Sequence, residues 1–287
     1  MAMIGRYNTL EVVKEVKFGV YLDGGDLGEI LLPQRYLPEG TQVGDSLEVF
    51  IYLDSDDYLI ATTEKPKGQV GEFVCLKAVD VNRVGAFFDW GLSKDLLVPF
   101  NEHKKTIEPG SEHIVYIYLD QETDRIAGST KLNRFIDNYP HQFKQGQPVD
   151  LIIEDHTHIG YKAIINGQHW GVVYDNDVFK PLRYGQKMRG YIKQIRPDGK
   201  INLSLQKLGR HKAADLTGKI LQLLDEHDGF IAANDKTDPK VIYKLFGASK
   251  KAFKMAIGNL YKQRLITIEE KGIRRTDKSA QPQRRRK

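Results

Sequence analysis

Over residues 1–205 the apolar positions come in short runs that alternate with polar ones, and after Gln206 they take the spacing of helices. The run FGVYLDGG (18–25) returns 66 residues later as VGAFFDWG (84–91). In the same register IYLDSDDYLIATTEKP, from Ile51, returns as IYLDQETDRIAGSTK, from Ile117. Between the paired motifs lie EILLPQRYLPEG (29–40) and DLLVPFNEHKKTIEPG (95–110). Each unit thus reads as an opening strand, a Gly-aromatic strand, a short apolar strand ending in Pro, a loop and a hairpin. A third, more diverged unit holds IGYKAIINGQHWGVVYDN (159–176) and YGQKMRGYIKQIRPDGKINLSLQK (184–207). Its last hairpin turns at Pro197-Asp198-Gly199. Solenoid repeats run to about 20–50 residues; a 66-residue period is long enough for a separate small barrel. Short alternating strands at this spacing predict a five-stranded OB-type barrel, a fold that commonly binds oligonucleotides on one face and its loops.

Each repeat puts a Gly inside an aromatic strand, where it weakens the strand. Strict alternation would place Phe18 and Tyr21 on opposite faces. A bulge at Gly19 would shift the phase by one and bring both rings to the outer face. Two such rings form a stacking platform for unpaired bases, worth about 1–3 kcal/mol per base. Periodicity leaves the other placement open, with the rings in the core and Gly19 only bending the strand.

The C-terminal third follows a different period. ADLTGKILQLLDEHDG (214–229) places Leu216, Ile220, Leu223 and Leu224 on one helical face and stops at Gly229. Asp238-Pro239 starts a short second helix, PKVIYKLFG. Ser249 caps a third, KKAFKMAIGNLYKQRL, with Phe253, Ile257 and Leu260 on one face and Lys250, Lys251 and Lys254 off it. ITIEEKGIRRT reads as a hairpin turning near Lys271-Gly272. Three helices and a hairpin predict a winged helix-turn-helix whose third helix and wing, with Arg274 and Arg275, meet nucleic acid. The tail TDKSAQPQRRRK is expected to be disordered, with Arg284–Lys287 as a diffuse phosphate grip.

Charge sharpens this division. Residues 1–146 carry 15 Lys+Arg and 23 Asp+Glu, a net −8; residues 147–205 carry 8 and 6, a net +2; residues 206–287 carry 20 and 9, a net +11. The basic end suggests a polyanionic partner. Cys75 is the single cysteine, which excludes intrachain disulfides and Cys-pair metal sites. No apolar run reaches the length of a membrane span and no secretory signal is visible, so we expect a cytoplasmic protein. HExxH, the Walker-type phosphate loop and GxSxG are missing. GGDLGEI (24–30) is a loop between barrel strands, and DSDD (54–57) sits at a hairpin turn, where Asp bonds the local backbone. His156 and His158 alternate on a strand with no third ligand in view, and Cys75 reads as a buried strand residue. We therefore expect neither catalysis, nor a metal, nor a cofactor.

FGVYLDGG and VGAFFDWG resemble the second-strand motif of the S1 domain, and DGKINLSLQK resembles its closing strand. Three such units followed by a basic helical domain resemble the bacterial conserved virulence factor B family. The resemblance implies a mainly β chain with a C-terminal α+β domain: three tandem S1-type five-stranded OB barrels, then a winged helix. The expected segments are 1–66, 67–146 with a linker, 147–208, 209–276 for the winged helix, and a basic tail at 277–287. It also implies an RNA face. The aromatic slots hold Phe18 and Tyr21 in the first unit, Val84 and Phe87 in the second, and Ile159 and Lys162 in the third. Asp54 is the turn acid of the first hairpin, Asp120 and Arg125 lie on the second, and Arg196 and Lys200 on the third. Where a typical S1 domain has a His at the end of its third strand, this chain has Pro33, Pro99 and Tyr174, of which Tyr174 can still stack. The third unit gains Lys162, Lys187, Arg189, Lys193, Arg196 and Lys200. It is expected to be the main barrel for phosphates, and the first two to be weak base-stackers or protein-contact modules.

The resulting expectation is a non-catalytic binder of single-stranded RNA and a post-transcriptional regulator. Two alternatives stay open: a transcription regulator using the winged helix on duplex DNA, and an accessory subunit or cryptic enzyme of RNA decay.

Overall fold

The computed structural model describes residues 2–178, 180–206 and 211–276, in two units that part at Lys207 and Leu208. The tail at 277–287, including Arg284–Lys287, lies outside the described residues.

In the first unit the chain folds three times along one path. The first barrel has β1 (Tyr7–Val16), β2 (Gly19–Asp23), β3 (Glu29–Pro33), β4 (Ser46–Leu53) and β5 (Leu59–Thr62). β1, β2 and β3 form an antiparallel meander, β5 joins β3 in parallel at Leu31 and Ile60, and β4 closes the ring onto β1. The second repeats the path with β6 (Phe73–Asn82), β7 (Gly85–Asp89), β8 (Leu96–Pro99), β9 (Glu112–Leu119) and β10 (Ile126–Ser129), left open at the seam between β8 and β10. The third, closed, has β11 (Pro148–Thr157), β12 (Gly160–Ile165), β13 (His169–Tyr174), β14 (Lys187–Ile195) and β15 (Ile201–Ser204). Alternation explains the cores: Val20 and Leu22 are buried while Tyr21 between them faces out, and Ala86 and Phe88 flank Phe87 in the same way. His158 lies just past the end of β11, so the His156 and His158 pair does not share a strand.

The Gly in each aromatic strand is explained differently from the expected bulge. Gly19, Gly85 and Gly160 open β2, β7 and β12 at φ +152°, +157° and +147°. A Cβ on them would lie 2.1 Å from the Leu32 carbonyl oxygen, 2.3 Å from that of Val98 and 2.2 Å from that of Val173. Only Gly lets the next strand approach so closely. The extra residue sits one strand earlier, where pairing slips between Val12 and Lys14, between Ala78 and Asp80, and between Ile153 and Asp155. The phase change that frees Phe18 from the core therefore comes from the Gly backbone.

The barrels are fused into one body. Val70 N donates to Gly5 O at 2.9 Å, and Tyr7, Phe50 and Trp90 form an edge-to-face chain from the first barrel into the core of the second. Between the second and third, Phe73, Ile114, Leu132 and Ile136 pack with Ile164, Lys104 Nζ meets Glu154 at 3.0 Å, and Ile114 N donates to the Tyr184 hydroxyl at 2.8 Å. Cys75 lies half-buried on β6 at this junction, and burial pushes its thiol up to about 11.

The second unit has α1 (His211–Glu226), β16 (Phe230–Ile231), α2 (Pro239–Phe246), α3 (Lys250–Lys262), β17 (Ile266–Ile268) and β18 (Ile273–Arg275). Its core holds Leu216, Ile220, Leu224, Phe253, Ile257 and Leu260, with Leu223 at its edge. Local chemistry sets the helix ends. Asp238 accepts from Lys240 N at 2.7 Å ahead of Pro239, Gly247 ends α2 at φ +66°, and Ser249 accepts from Ala252 N at 3.2 Å. The wing hairpin turns between Glu269 and Gly272 and gains a third strand, β16. Two residues leave no periodic signal in the sequence, so β16 was not foreseeable.

Replacing Gly19, Gly85 or Gly160 by Ala should each cost about 2–4 kcal/mol in urea denaturation. Gly110→Asn, at φ +86° with open space around it, should cost under about 1 kcal/mol. Iodoacetamide should alkylate Cys75 at pH 8 roughly 100-fold more slowly than an unhindered peptide thiol, because so little of it is thiolate; reaction at the free-thiol rate would show the junction to be open.

Candidate nucleic-acid interface

The β2 slot and its counterparts present side chains away from the barrel cores. Phe18, in the turn before β2, is 57 % exposed; Val84 and Ile159 in the equivalent turns are 51 % and 43 % exposed. Tyr21 and Phe87 are half-buried on the outer side of β2 and β7, and Lys14 Nζ stands 5.6 Å from the Tyr21 ring centre. At the far side of each Gly pair stand Pro33, Pro99 and Tyr174, the strand-end residues named from the sequence. Tyr174 is half-buried and caps a single 3-10 turn over Asp175–Asp177.

In the third barrel the slot residue Lys162 is half-buried, 3.7 Å from Glu154, with its ammonium 3.5 Å from the centre of the Trp170 ring. The aromatic ring beside this slot stands on the adjacent strand, β13. Trp170 was not foreseen; the signal was its period-two spacing with Val172 and Tyr174, all three half-buried on one side of β13.

The hairpin cations are not left bare. Lys193 pairs with Asp177, and Arg196 and Lys200 share Asp198 at 3.2 and 3.5 Å. Asp198 is held below the usual carboxylate range: contacts with the Lys200 backbone amide and with both cations outweigh the opposing desolvation. Lys187 and Arg189 stand exposed on β14. Together they line a groove of about 760 Å³ with Phe73, Ile152, Asn166 and Gln168, at the junction of the second and third barrels.

Arg125 stands apart from this set. Its guanidinium pairs with Asp57 on the first barrel's β4–β5 hairpin, and the two residues line a cleft of about 540 Å³ with Phe87, Trp90, Tyr118 and Lys94. Asp54 accepts from Asp56 N at 2.9 Å and Tyr58 N at 3.0 Å, the turn-building role its position suggested.

In the winged domain Lys251 and Lys254 are exposed on α3, with Met255 beside them 58 % exposed. Lys254 lies 3.7 Å from Asp235, and Lys250 donates to Lys236 O at 3.3 Å. On β18 Arg274 pairs with Glu269 at 2.8 Å and covers the Phe230 ring at 4.8 Å, and Arg275 meets Asp225 at 3.2 Å. Among the described residues no helix is long and apolar enough to cross a membrane.

These modules have known counterparts. Residues 4–64 and 70–131 match the S1 domain family, and residues 218–274 match the CvfB-like winged helix domain. Conserved virulence factor B of Staphylococcus saprophyticus is 27 % identical over 285 residues, covering 96 % of this chain and 95 % of that one. The Staphylococcus aureus protein of the same name is 28 % identical over 291 residues, with the same coverage. A crystal structure of a multidomain protein with nucleic acid binding domains from Streptococcus pneumoniae covers 95 % of this chain and 98 % of its own, at 23 % identity and a TM-score of 0.40. With S1 domains on the first two barrels, a CvfB-like winged helix domain after the third in sequence and relatives aligned along nearly its whole length, the chain is similar to conserved virulence factor B from end to end.

Proposed function

We propose that this chain binds single-stranded RNA without catalysis, in the bacterial cytoplasm, as a post-transcriptional regulator of gene expression. The observation that carries this is the third barrel's outer side. Trp170 and Tyr174 lie along one strand, Lys162 stands over the first ring, and Lys193, Arg196 and Lys200 line the closing hairpin. Aromatic faces beside a cationic track suit unpaired bases and their phosphates, and they take many sequences because every base has a flat face. The relatives' name supports a role in virulence. Phe18, Tyr21 and Phe87 are assigned weaker stacking, since the net −8 over residues 1–146 repels phosphates. Lys250, Lys251, Lys254, Arg274 and Arg275 are assigned phosphate contacts from the winged domain. The exposed α3 favours a second reading, in which the winged domain holds a duplex.

Stacking and charge separate in one salt titration on a single unstructured RNA. Each phosphate contact on a single strand contributes about −0.7 to the slope of log K against log salt. Replacing Lys193, Arg196 and Lys200 together by Ala should weaken binding of any RNA and flatten that slope by up to about 2. Tyr174→Ala should cost roughly 1–3 kcal/mol of binding with the slope nearly unchanged. An unchanged slope in the folded triple variant would move the phosphate grip away from the third barrel.

A further inference from the structure

Of the side chains that line the cleft between the first and second barrels, two are cations, Lys94 and Arg125, and the first barrel's β4–β5 hairpin holds both. Lys94 Nζ donates to Leu53 O at 3.2 Å and to Asp54 O at 2.5 Å. The Arg125 guanidinium pairs with the Asp57 carboxylate. The same cleft contains Phe87, the outward residue of β7, together with Tyr118, so the hairpin forms one wall of the second barrel's aromatic face. Asp95 and Asp120 add two more carboxylates.

A carboxylate set against a guanidinium occupies the arrangement in which Arg takes a phosphate, because both anions offer oxygens to the same fork of donors. We propose that the β4–β5 hairpin is a built-in occupant of the second barrel's nucleic-acid face, with Asp57 standing where an RNA phosphate would sit. This rests on the proposed reading that the barrels' outer faces meet RNA. The hairpin is shaped for the task by its own turn: Asp54 accepts from the amides of Asp56 and Tyr58, and Asp57 takes φ +64° at the tip. The pair is also exchangeable. Its side chains are 59 % and 43 % exposed, so water and salt weaken it and a phosphate can compete for Arg125. The first barrel then acts on RNA mainly by restraining the second.

The test is Asp57→Asn in the full chain, since Asn tolerates the left-handed backbone that Asp57 adopts and keeps the turn. The probe is a fluorescein-labelled, unstructured 15-nucleotide RNA followed by anisotropy at low salt, with a second RNA carrying 4-thiouridine for photocrosslinking. Asp57→Asn should tighten binding about two- to fivefold, the range an exposed ion pair commands. It should also raise crosslinks to the peptides that hold Phe87 and Tyr118, and adding Arg125→Gln should erase both gains. Asp56→Asn removes the same charge from the same loop, at a carboxylate that makes no ion pair among the described residues, and should gain less. Equal gains from the two Asn variants, or no gain from Asp57→Asn, overturn the proposal. So does a wild-type chain that crosslinks through Phe87 and Tyr118 as strongly as through the third barrel, a result that needs no variant to fold. No RNA binding by wild type or variants would instead defeat the proposed function itself.

Discussion

One missing Cβ organises each barrel. At Gly19, Gly85 and Gly160 the carbonyl of the facing strand lies 2.1–2.3 Å from where a Cβ would be, so any other residue would force the strands apart. The positive φ there reverses the side-chain phase. It leaves Phe18, Val84 and Ile159 outside the core and starts the alternation that turns Tyr21, Phe87 and Lys162 outward. The same backbone position thus closes the β-hairpin and sets out the row of side chains that would meet a ligand. The same constraint recurs in all three barrels.

On that common frame the barrels have diverged by charge and by what they pack against. Phe50 and Trp90 join the first two barrels into one core, while Ile164 and Phe73 join the last two. Fusion places the acidic β4–β5 hairpin beside Phe87, whereas the third barrel keeps its cations on its closing hairpin and on β14. Lys193, Arg196 and Lys200 are already balanced by a neighbouring acid, so a phosphate would have to exchange with that acid, in a contact that salt weakens.

Much of this was legible because it is local. The strand pattern, the Pro197-Asp198-Gly199 turn, the Asp238 and Ser249 caps and the apolar faces of α1 and α3 are written within a few neighbouring residues. The bulge was misplaced by one strand because alternation along one strand reports a change of phase, not which strand supplies it. The sequence places Arg125 on the second hairpin but does not show its partner, because Asp57 lies 68 residues away on another barrel, where no spacing rule reaches. Trp170 does not stand out in the sequence because Lys162 occupies the aromatic slot and the ring beside it belongs to the neighbouring strand. The junctions between barrels were invisible for the same reason: Phe50 and Trp90 look like ordinary core residues of their own units.

Under the proposed function these faces and cations select unpaired RNA. The direct measurement is equilibrium binding of the full chain to three probes of one sequence and length, single-stranded RNA, single-stranded DNA and duplex DNA, at a fixed salt concentration. Single-stranded RNA should bind tightest, at least several-fold above the duplex. Duplex DNA binding as tightly as or more tightly than the single strands would contradict it and assign the activity to the winged helix.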